Sequence, residues 1–424
     1  MSNVYICSNG CVKRLLDTTK ISNYFLKNGY KTVNNPKDAD IIIFVTCAVF
    51  EEITESSIKQ IKKLKKYDAE LIIAGCLPEI EKEKLSQIFK GKTIITKEID
   101  KIDYFFPNNK IKFVELDDAN LPFGSEGIPF LEFSLRGTIF SKILMKIFKE
   151  IKFTKNIYIF IIKHIFKNIL GKDSTGYKHL ISTKKCFNIK ILDGCLGDCS
   201  YCSIKKAVGI LHSKPIDECI KEFKNGLKDG YKNFELDGDD VGAYGIDIKT
   251  SFPELLDKMT KIPGDYKISI KDFNSCWLAK YIDNLEEIIK RKKINYILVA
   301  FQSGSNRILN LMKRHSDIDK VKNSCKRLKK IYPDLEISSH AIVGFPTETI
   351  EDFKQTLSFI AESNIDGGTF FTFSPRPKTL AEKIEPKVSE KEKESRMKYA
   401  KKFLEKKGYN VFYPPGRSIL IFGK

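Results

Sequence analysis

Three cysteines near the middle of the chain are the residues best placed to do chemistry. Cys195, Cys199 and Cys202 follow a C-x3-C-x2-C spacing, with Tyr201 directly before the last of them. Three thiols so close together, with no histidine among them, suit a soft metal centre. A 4Fe-4S cubane normally takes four thiolates, so three would leave one iron free to bind another molecule. A zinc site and buried structural cysteines are the alternatives.

A second set of three cysteines lies in the first hundred residues. Cys11 follows an Asn-Gly pair, Cys47 follows the apolar run 41–44, and Cys76 follows the apolar run 71–73. Short β-branched runs between charged helical stretches predict buried parallel strands, whose carboxyl ends form the ligand-binding edge of an open α/β sheet. The three cysteines are therefore expected to converge as a second three-thiolate site, the alternative being three unrelated core cysteines.

Both cysteine sets, together with several later segments, resemble radical S-adenosylmethionine (SAM) enzymes, and among them the methylthiotransferases. The later matching segments are 236–247, 301–307, 312–314, 340–353 and 373–379. The resemblance covers roughly residues 3–396. The family usually has asparagine at the positions of Arg14 and Val45, and Ser-Arg-Pro where this chain has Ser-Lys-Pro at 213–215.

The resemblance implies two 4Fe-4S clusters and SAM as cofactors. Cys195, Cys199 and Cys202 would hold the catalytic cluster, whose open iron binds SAM and whose reduced form cleaves it. The resemblance assigns an auxiliary cluster, which would supply or carry sulfur, to Cys11, Cys47 and Cys76. The implied reaction converts a C–H bond to C–S–CH3, with electrons from a donor such as flavodoxin or ferredoxin.

The resemblance also implies a set of contacts with SAM. Tyr201 would pack beside the cluster and the adenine, and Gly238 and Asp239 would face the amino group. The remaining expected contacts are Gln302, Ser303 and Ser305 to the carboxylate or ribose, and Gly344, Phe345 and Pro346 as a backbone platform for adenine. Ordinary turn or strand-end structure is the alternative for each of these residues. The lone histidines His212, His315 and His340 are not assigned catalytic roles, because such histidines are more often structural.

Alternating apolar runs and charged helical stretches predict an α/β protein that would position these residues. Strands near 4–6, 41–44, 71–74 and 93–95 predict a small doubly wound α/β domain. Strands near 188–192, 233–236, 267–270, 296–299, 336–342 and 368–373 fit an incomplete (β/α)6 barrel of the radical SAM type. Such barrels place catalytic groups at the carboxyl ends of their strands.

These patterns divide the chain into four parts. They are an α/β domain at 1–115, a linker at 116–185, the partial barrel at 186–395 and a short helix and tail at 396–424. Apolar residues recur at three- and four-residue spacing through 135–172, with lysines between them, which predicts an inserted basic amphipathic helical hairpin. Methylthiotransferases usually carry an RNA-binding β-barrel at the C-terminus, whereas residues 408–424 could form at most a hairpin.

Composition favours a globular protein of the reducing cytosol. Of the 424 residues 42% are hydrophobic and 30% charged, and there are eleven cysteines. The chain opens directly into a strand instead of a secretory signal, and its apolar runs are shorter than the roughly 20 residues of a membrane span. Thiols in the cytosol more often bind metals than form disulfides. The formal charge of +19 favours a polyanionic partner such as RNA.

The substrate is the least determined part of the prediction. Residues 240–256 look most similar to the branch that methylthiolates threonylcarbamoyladenosine beside the tRNA anticodon, so tRNA is the first expectation. A similar stretch occurs in the branch that modifies an aspartate of a ribosomal protein, which keeps a protein, peptide or small molecule as an alternative. A cluster-bearing SAM-binding protein without sulfur transfer is a further alternative.

Overall fold

The computed structural model describes residues 2–124, 186–314, 316–413 and 418–424. Most of the predicted linker, its amphipathic hairpin at 135–172 and His315 lie outside the described residues. No helix within the described ranges combines the length and apolarity needed to cross a membrane. The described chain forms two large sheets with helices packed on them, so the expectation of an α/β protein is confirmed.

The N-terminal sheet is parallel and carries helices on both faces. Its strands are β1 (Asn3–Ser8), β2 (Lys31–Thr32), β3 (Ile41–Thr46), β4 (Glu70–Gly75) and β5 (Thr93–Ile95), in the order β2-β1-β3-β4-β5. Its helices are α1 (Val12–Lys27), α2 (Glu51–Leu64), α3 (Leu77–Ile80), α4 (Lys82–Ile88) and α5 (Ile102–Phe105). Ile43 and Val45 pack into one apolar cluster, whereas Ile42 and Phe44 pack into another on the opposite face. Burial on both faces explains why the strand is apolar throughout instead of alternating.

The second sheet contains the six parallel strands expected of an incomplete barrel. They are β6 (Phe187–Lys190), β9 (Asn233–Asp237), β10 (Lys267–Asn274), β11 (Ile294–Gln302), β12 (Glu336–Val343) and β13 (Gly367–Thr372), adjacent in that order. The helices are α6 (Ile204–Val208), α7 (Ile216–Lys228), α8 (Phe252–Lys261), α9 (Ser275–Ile289), α10 (Asn306–Leu311), α11 (Ile318–Ile331), α12 (Ile350–Glu362) and α13 (Glu390–Lys406). One strand differs from expectation. The predicted strand 188–192 is divided, because β7 (Leu192–Asp193) pairs separately with β8 (His212–Ser213).

The C-terminal residues complete the edge of the second sheet. The expected hairpin is present as β14 (Asn410–Phe412) and β15 (Ile419–Gly423), and β15 runs antiparallel to β13. Because the hairpin extends the barrel sheet, residues after 396 pack with the barrel, and the sequence-based boundary at 395/396 falls inside α13. The added strands cover the edge that β13 would otherwise expose.

A buried ion pair joins the two sheets. Arg376, which follows β13, donates to Glu81 Oε1 at 2.5 Å and to Thr54 Oγ1 at 3.0 Å in the N-terminal part. The side chains of Arg376 and Glu81 are 3% and 2% exposed. Arg376 also approaches Glu51 at 3.2 Å. This contact fixes the orientation of the N-terminal sheet relative to the barrel.

Replacing Arg376 with methionine should destabilise the protein by about 3–5 kcal/mol, because it leaves the Glu81 carboxylate buried without its cation. The free energy of unfolding in urea, followed by circular dichroism, measures the effect. The double variant Arg376→Met/Glu81→Leu should recover much of the loss, since it removes both charges.

The exposed pair between Lys378 and Glu83 is the matched control for this measurement. Its side chains are 71% and 81% exposed and its atoms lie 3.1 Å apart. Lys378→Met should change stability by no more than about 1 kcal/mol. Equal losses for Lys378→Met and Arg376→Met would contradict a special role for the buried pair.

Candidate active site

The three N-terminal cysteines lie together at the carboxyl edge of their sheet. Cys11 directly precedes α1, Cys47 directly follows β3 and Cys76 directly follows β4. The loops that carry Cys47 and Cys76 are in contact, because the Cys76 N–H donates to the Thr46 carbonyl at 3.0 Å. Gly75 makes this approach possible, because it has a φ of +102° and a Cβ there would lie 2.3 Å from the Thr46 oxygen.

A short hydrogen-bond circuit holds the loop that carries Cys47. The Asn9 carboxamide accepts from the Cys47 N–H at 3.1 Å and donates to Ser57 Oγ at 2.8 Å. The Ser57 hydroxyl in turn donates to the Cys47 carbonyl at 2.8 Å. Strand ends and α2 therefore position the thiol together.

The central cysteines lie in the loop between β7 and α6, and their backbone leaves space between two sulfurs. The Gly197 N–H donates to Cys195 Sγ at 3.3 Å. A Cβ on Gly197 would lie 3.4 Å from Cys195 Sγ and 3.8 Å from Cys199 Sγ. The absence of a side chain at Gly197 thus keeps two thiols accessible to one bound group. Arg314 Nη1 approaches Cys199 Sγ at 3.6 Å and supplies a positive charge beside it.

Burial makes the cysteines weak acids while they are free thiols. It raises the pKa of Cys195 to about 12, with a further increase from Asp240, and it raises the pKa of Cys202 to about 11. Burial also raises the pKa of Cys47 and of Cys76. Iron must therefore displace protons on binding, since thiolates are the metal ligands.

A cavity of ≈ 670 Å³ between the two sheets is lined by all three N-terminal cysteines and by Cys202 of the central set, whereas Cys195 and Cys199 are not among its lining residues. Of the residues expected at the site, its lining includes Cys11, Cys47, Cys76, Tyr201, Cys202, Asp239 and Gln302. Tertiary structure adds side chains that were not assigned from the sequence, among them Lys13, Arg14, Asp272, His340 and Phe371. The cavity lies where the ends of the two sets of strands approach each other.

The spacing of the thiols fits a cluster better than a single metal ion. Within the described ranges, no three Cys, His, Asp or Glu side chains converge as the ligands of one ion do. A cubane binds each thiolate through a different iron atom, so its protein ligands need not converge on one point. With the space beside Gly197, the donor set of each trio fits an iron–sulfur cluster.

Gly238 and Asp239, the residues predicted to face the amino group of SAM, contact Lys13 of the N-terminal part. Lys13 Nζ lies 2.9 Å from Asp272, 3.3 Å from Asp239 and 3.3 Å from the Gly238 carbonyl oxygen. These three acceptors stand at the ends of β9 and β10. They already form a binding place for an ammonium group, and Lys13 joins α1 to the barrel through it.

The remaining predicted SAM contacts have structural partners and are absent from the cavity lining. Ser305 caps α10 and donates to Asp352 Oδ1 at 2.6 Å, while Ser303 Oγ accepts from the Ser305 N–H at 3.2 Å. Phe345 packs against Phe373 in a cluster that also contacts Tyr201. Gly344 and Pro346 are buried in the same turn. The Gly344 N–H donates to the Glu348 carboxylate at 2.7 Å. In this conformation these residues support the cavity wall.

Arg314 ties the central loop to the barrel, a role that was not predicted from the sequence. Arg314 is buried, donates to Tyr201 Oη at 3.3 Å and to Asn274 Oδ1 at 2.5 Å, and reaches the Ala300 carbonyl oxygen. The segment 312–314 already stood out by its resemblance, but sequence could not show where the guanidinium points. Asp272 was missed for another reason, since its φ of +51° belongs to an irregularity in β10 that has no sequence signature.

Comparisons with known proteins agree with the two-part architecture. Residues 3–96 match the family described as "Uncharacterized protein family UPF0004", and residues 189–360 match the Radical SAM superfamily. Among solved structures, the radical S-adenosylmethionine methyltransferase TsrM from Kitasatospora setae aligns with a TM-score of 0.58. At 10% identity, covering 90% of this chain and 77% of that one, this likeness bears on the fold alone.

Curated relatives align over most of their length and of this chain. The tRNA-2-methylthio-N(6)-dimethylallyladenosine synthase of Thermodesulfovibrio yellowstonii is 30% identical, covering 93% of this chain and 81% of the relative. A probable threonylcarbamoyladenosine tRNA methylthiotransferase of Pyrococcus abyssi is 27% identical, covering 90% and 79%. The ribosomal protein uS12 methylthiotransferase RimO of Alkaliphilus oremlandii is 28% identical, covering 97% and 85%.

In cluster-free protein at pH 8, Cys195 and Cys202 should resist alkylation by iodoacetamide. Their raised pKa values leave about one molecule in a thousand or fewer as the reactive thiolate at that pH. Alkylation should accelerate about tenfold per pH unit between pH 7.5 and 9.5, because thiolate increases by that factor below the pKa. Peptide mass spectrometry measures each site.

Two other cysteines calibrate access in the same digest. Cys11 is exposed and should be modified first, whereas Cys325 is buried in the barrel core and should react last. Modification of Cys195 and Cys202 at pH 8 as fast as Cys11 would contradict the effect of burial.

Proposed function

Because this chain belongs to the radical SAM methylthiotransferase family, we propose that it converts a C–H bond of its substrate to C–S–CH3 with two 4Fe-4S clusters and SAM. Membership makes it an enzyme, and the radical SAM family implies SAM and a 4Fe-4S cluster. The use of two clusters goes further than membership. The observation that carries it is the cavity that the N-terminal trio shares with Cys202 and Tyr201 of the central loop.

The two donor sets support a separate place for each cluster. Cys195, Cys199 and Cys202 would hold the catalytic cluster, and the resemblance assigns the auxiliary cluster to the N-terminal trio. Bound there, the clusters and SAM supply radical formation at carbon and insertion of methylthio sulfur. The electron donor would be a small redox protein of the flavodoxin or ferredoxin type.

The chain's own residues would bind SAM and orient the reacting groups. Gly238 and Asp239 present oxygen acceptors suited to the amino group of SAM, provided that Lys13 yields its place. Tyr201 forms part of the cavity wall and is held by Arg314, which also approaches Cys199. Phe371 and other apolar residues in the lining would limit water near the reacting carbon.

Replacing Cys195, Cys199 and Cys202 together with alanine should halve the iron content of anaerobically reconstituted protein, from about eight to about four atoms, since each trio would hold one cubane. SAM cleavage to 5'-deoxyadenosine should disappear. Replacing Cys11, Cys47 and Cys76 should also halve the iron but leave SAM cleavage intact and abolish sulfur insertion. Iron analysis and chromatography of 5'-deoxyadenosine measure these outcomes.

Cys7→Ala is the matched control, because Cys7 lies on β1 only four residues before Cys11 but outside the cavity lining. It should keep full iron and activity. A central triple variant that keeps all its iron and cleaves SAM would contradict the assignment. Wild-type protein that binds SAM and never forms 5'-deoxyadenosine would instead favour a cluster-bearing SAM-binding protein without sulfur transfer.

For the substrate we propose a tRNA adenosine, as the 2-methylthio acceptor in threonylcarbamoyladenosine next to the anticodon. The support is the printed function of relatives that align over nearly four fifths of their length, together with the formal charge of +19. Positive charge attracts the phosphate backbone and releases its counterions.

A protein or peptide substrate is the second candidate, and one feature of the cavity favours it. Glu51, Glu52 and Glu390 contribute to its lining, and Glu51 and Glu390 have side chains that are 47% and 86% exposed. Such carboxylates are unfavourable near phosphates. The resemblance to RimO of Alkaliphilus oremlandii points in the same direction.

If tRNA is the substrate, its affinity should fall about a thousandfold between 50 and 200 mM salt for roughly six phosphate contacts. Filter binding measures the affinity, and mass spectrometry of tRNA nucleosides from a deletion strain detects the loss of the methylthio group. Glu390→Gln should not weaken tRNA binding, since it removes a negative charge. Salt-insensitive binding together with unchanged tRNA nucleosides would favour the protein substrate.

A further inference from the structure

Arg14 is a buried cation in the cavity wall, at a position where the resembling family usually has asparagine. It lies in the first turn of α1, three residues after Cys11, and its side chain is 2% exposed. It lines the cavity together with Cys11, Cys47 and Cys76. A charge so fully removed from water needs a strong partner.

Within the part of the chain that the structure describes, Arg14 has one ion-pair partner, which is shared with another cation. Arg14 Nε lies 3.1 Å from Asp17 Oδ2 on the same helix. Asp17 also accepts from Lys190 Nζ, which reaches across from β6 at 3.4 Å. One carboxylate therefore serves two cations, and Lys190 has a second carboxylate partner in Asp193 at 3.0 Å.

The other side of the guanidinium has a donor without an acceptor. Arg14 Nη1 is enclosed and makes no hydrogen bond with any residue that the structure describes. Buried donors in folded proteins are nearly always paired, so an orphan of this kind calls for a bound group. A sulfur of a metal-bound thiolate or of a cluster is the acceptor that the surrounding cysteines would provide.

The charge of Arg14 lies beside those cysteines, since all four residues line the same cavity. The positive end of the α1 dipole lies beside the same group. Cation, dipole and orphan donor all favour negative charge at the auxiliary site.

We propose that Arg14 is a positioning residue for the auxiliary cluster, where its guanidinium stabilises the more negative reduced form and raises the reduction potential. This inference rests on the proposed two-cluster function. Reduction adds one electron, supplied in a titration by dithionite, and makes the cluster more negative by one charge. A neighbouring cation favours that state, whereas an amide does so weakly.

The test uses the full chain with Cys195, Cys199 and Cys202 replaced by alanine, so that one cluster remains. In that background, Arg14→Gln should lower the reduced-to-oxidised ratio at a fixed potential at least tenfold, which is a shift of about 59 mV for one electron. Arg14→Lys should shift less, because it keeps the charge. Redox titration followed by electron paramagnetic resonance gives the midpoint potential.

Arg291→Gln in the same background is the matched control. Arg291 pairs with Asp257 at 2.7 Å on the barrel helices and does not line the cavity. It should leave the midpoint potential unchanged. This control separates a local effect of Arg14 from the general effect of removing one positive charge.

Each outcome either supports or overturns the role proposed for Arg14. An Arg14→Gln variant that keeps its iron and titrates at the unsubstituted potential overturns the inference. If Gln prevents cluster assembly and Lys permits it, the requirement for charge supports the inference, whereas failure of both indicates a packing role and overturns it. A background protein that retains Arg14 and holds no iron overturns the two-cluster proposal itself, and this inference with it.

Discussion

The buried ion pair between Arg376 and Glu81 is the interaction on which the shared cavity depends. Each sheet alone would present its functional residues at the carboxyl ends of parallel strands, facing solvent. The pair holds the two edges face to face, and Lys13 adds a second link through Asp239 and Asp272. An ion pair requires a specific geometry, whereas apolar packing alone would allow the two sheets to slide against each other. The proposed reaction, in which two cysteine sets act on one molecule, would need that specificity.

Charge within the cavity is arranged in two zones. Around the N-terminal cysteines the protein places cations, with Arg14 in the wall and Lys13 at the junction. Toward the ends of β9 and β10 it places Asp239 and Asp272, which suit a positively charged ligand such as the amino group of SAM. Asp240 follows Asp239 but does not line the cavity, and burial raises its pKa to about 6 despite a hydrogen bond from Trp277. Opposite zones in one cavity would keep an anionic cluster and a cationic cofactor in separate places.

Much of the fold follows from local patterns. The two strand sets, the six-unit partial barrel and the C-terminal hairpin were all expected, because buried parallel strands read as short continuous apolar runs. The split at Ile191 was not expected, since the pairing of β7 with β8 depends on a loop that returns nineteen residues later. Boundaries were also less predictable: α13 continues through the expected end of the barrel because its buried face packs on α12 and the hairpin strands.

The sequence by itself determined the candidate reactive residues, which are six cysteines in two sets, each beside the end of a strand. Spacing along the chain is enough for this, because ligands within one loop or after one strand are positioned locally. The tertiary structure decided which residues surround them. Lys13 looked like an ordinary helix residue, yet the docking of two sheets places it beside Asp239 and Asp272, more than two hundred residues away. Arg14 stood out only as a departure from the resembling family, and the fold buries it beside the N-terminal cysteines. It also turned Ser303 and Ser305 inward to hold α10 and α12. Orientation across a domain junction depends on packing of distant segments, and no local pattern encodes it.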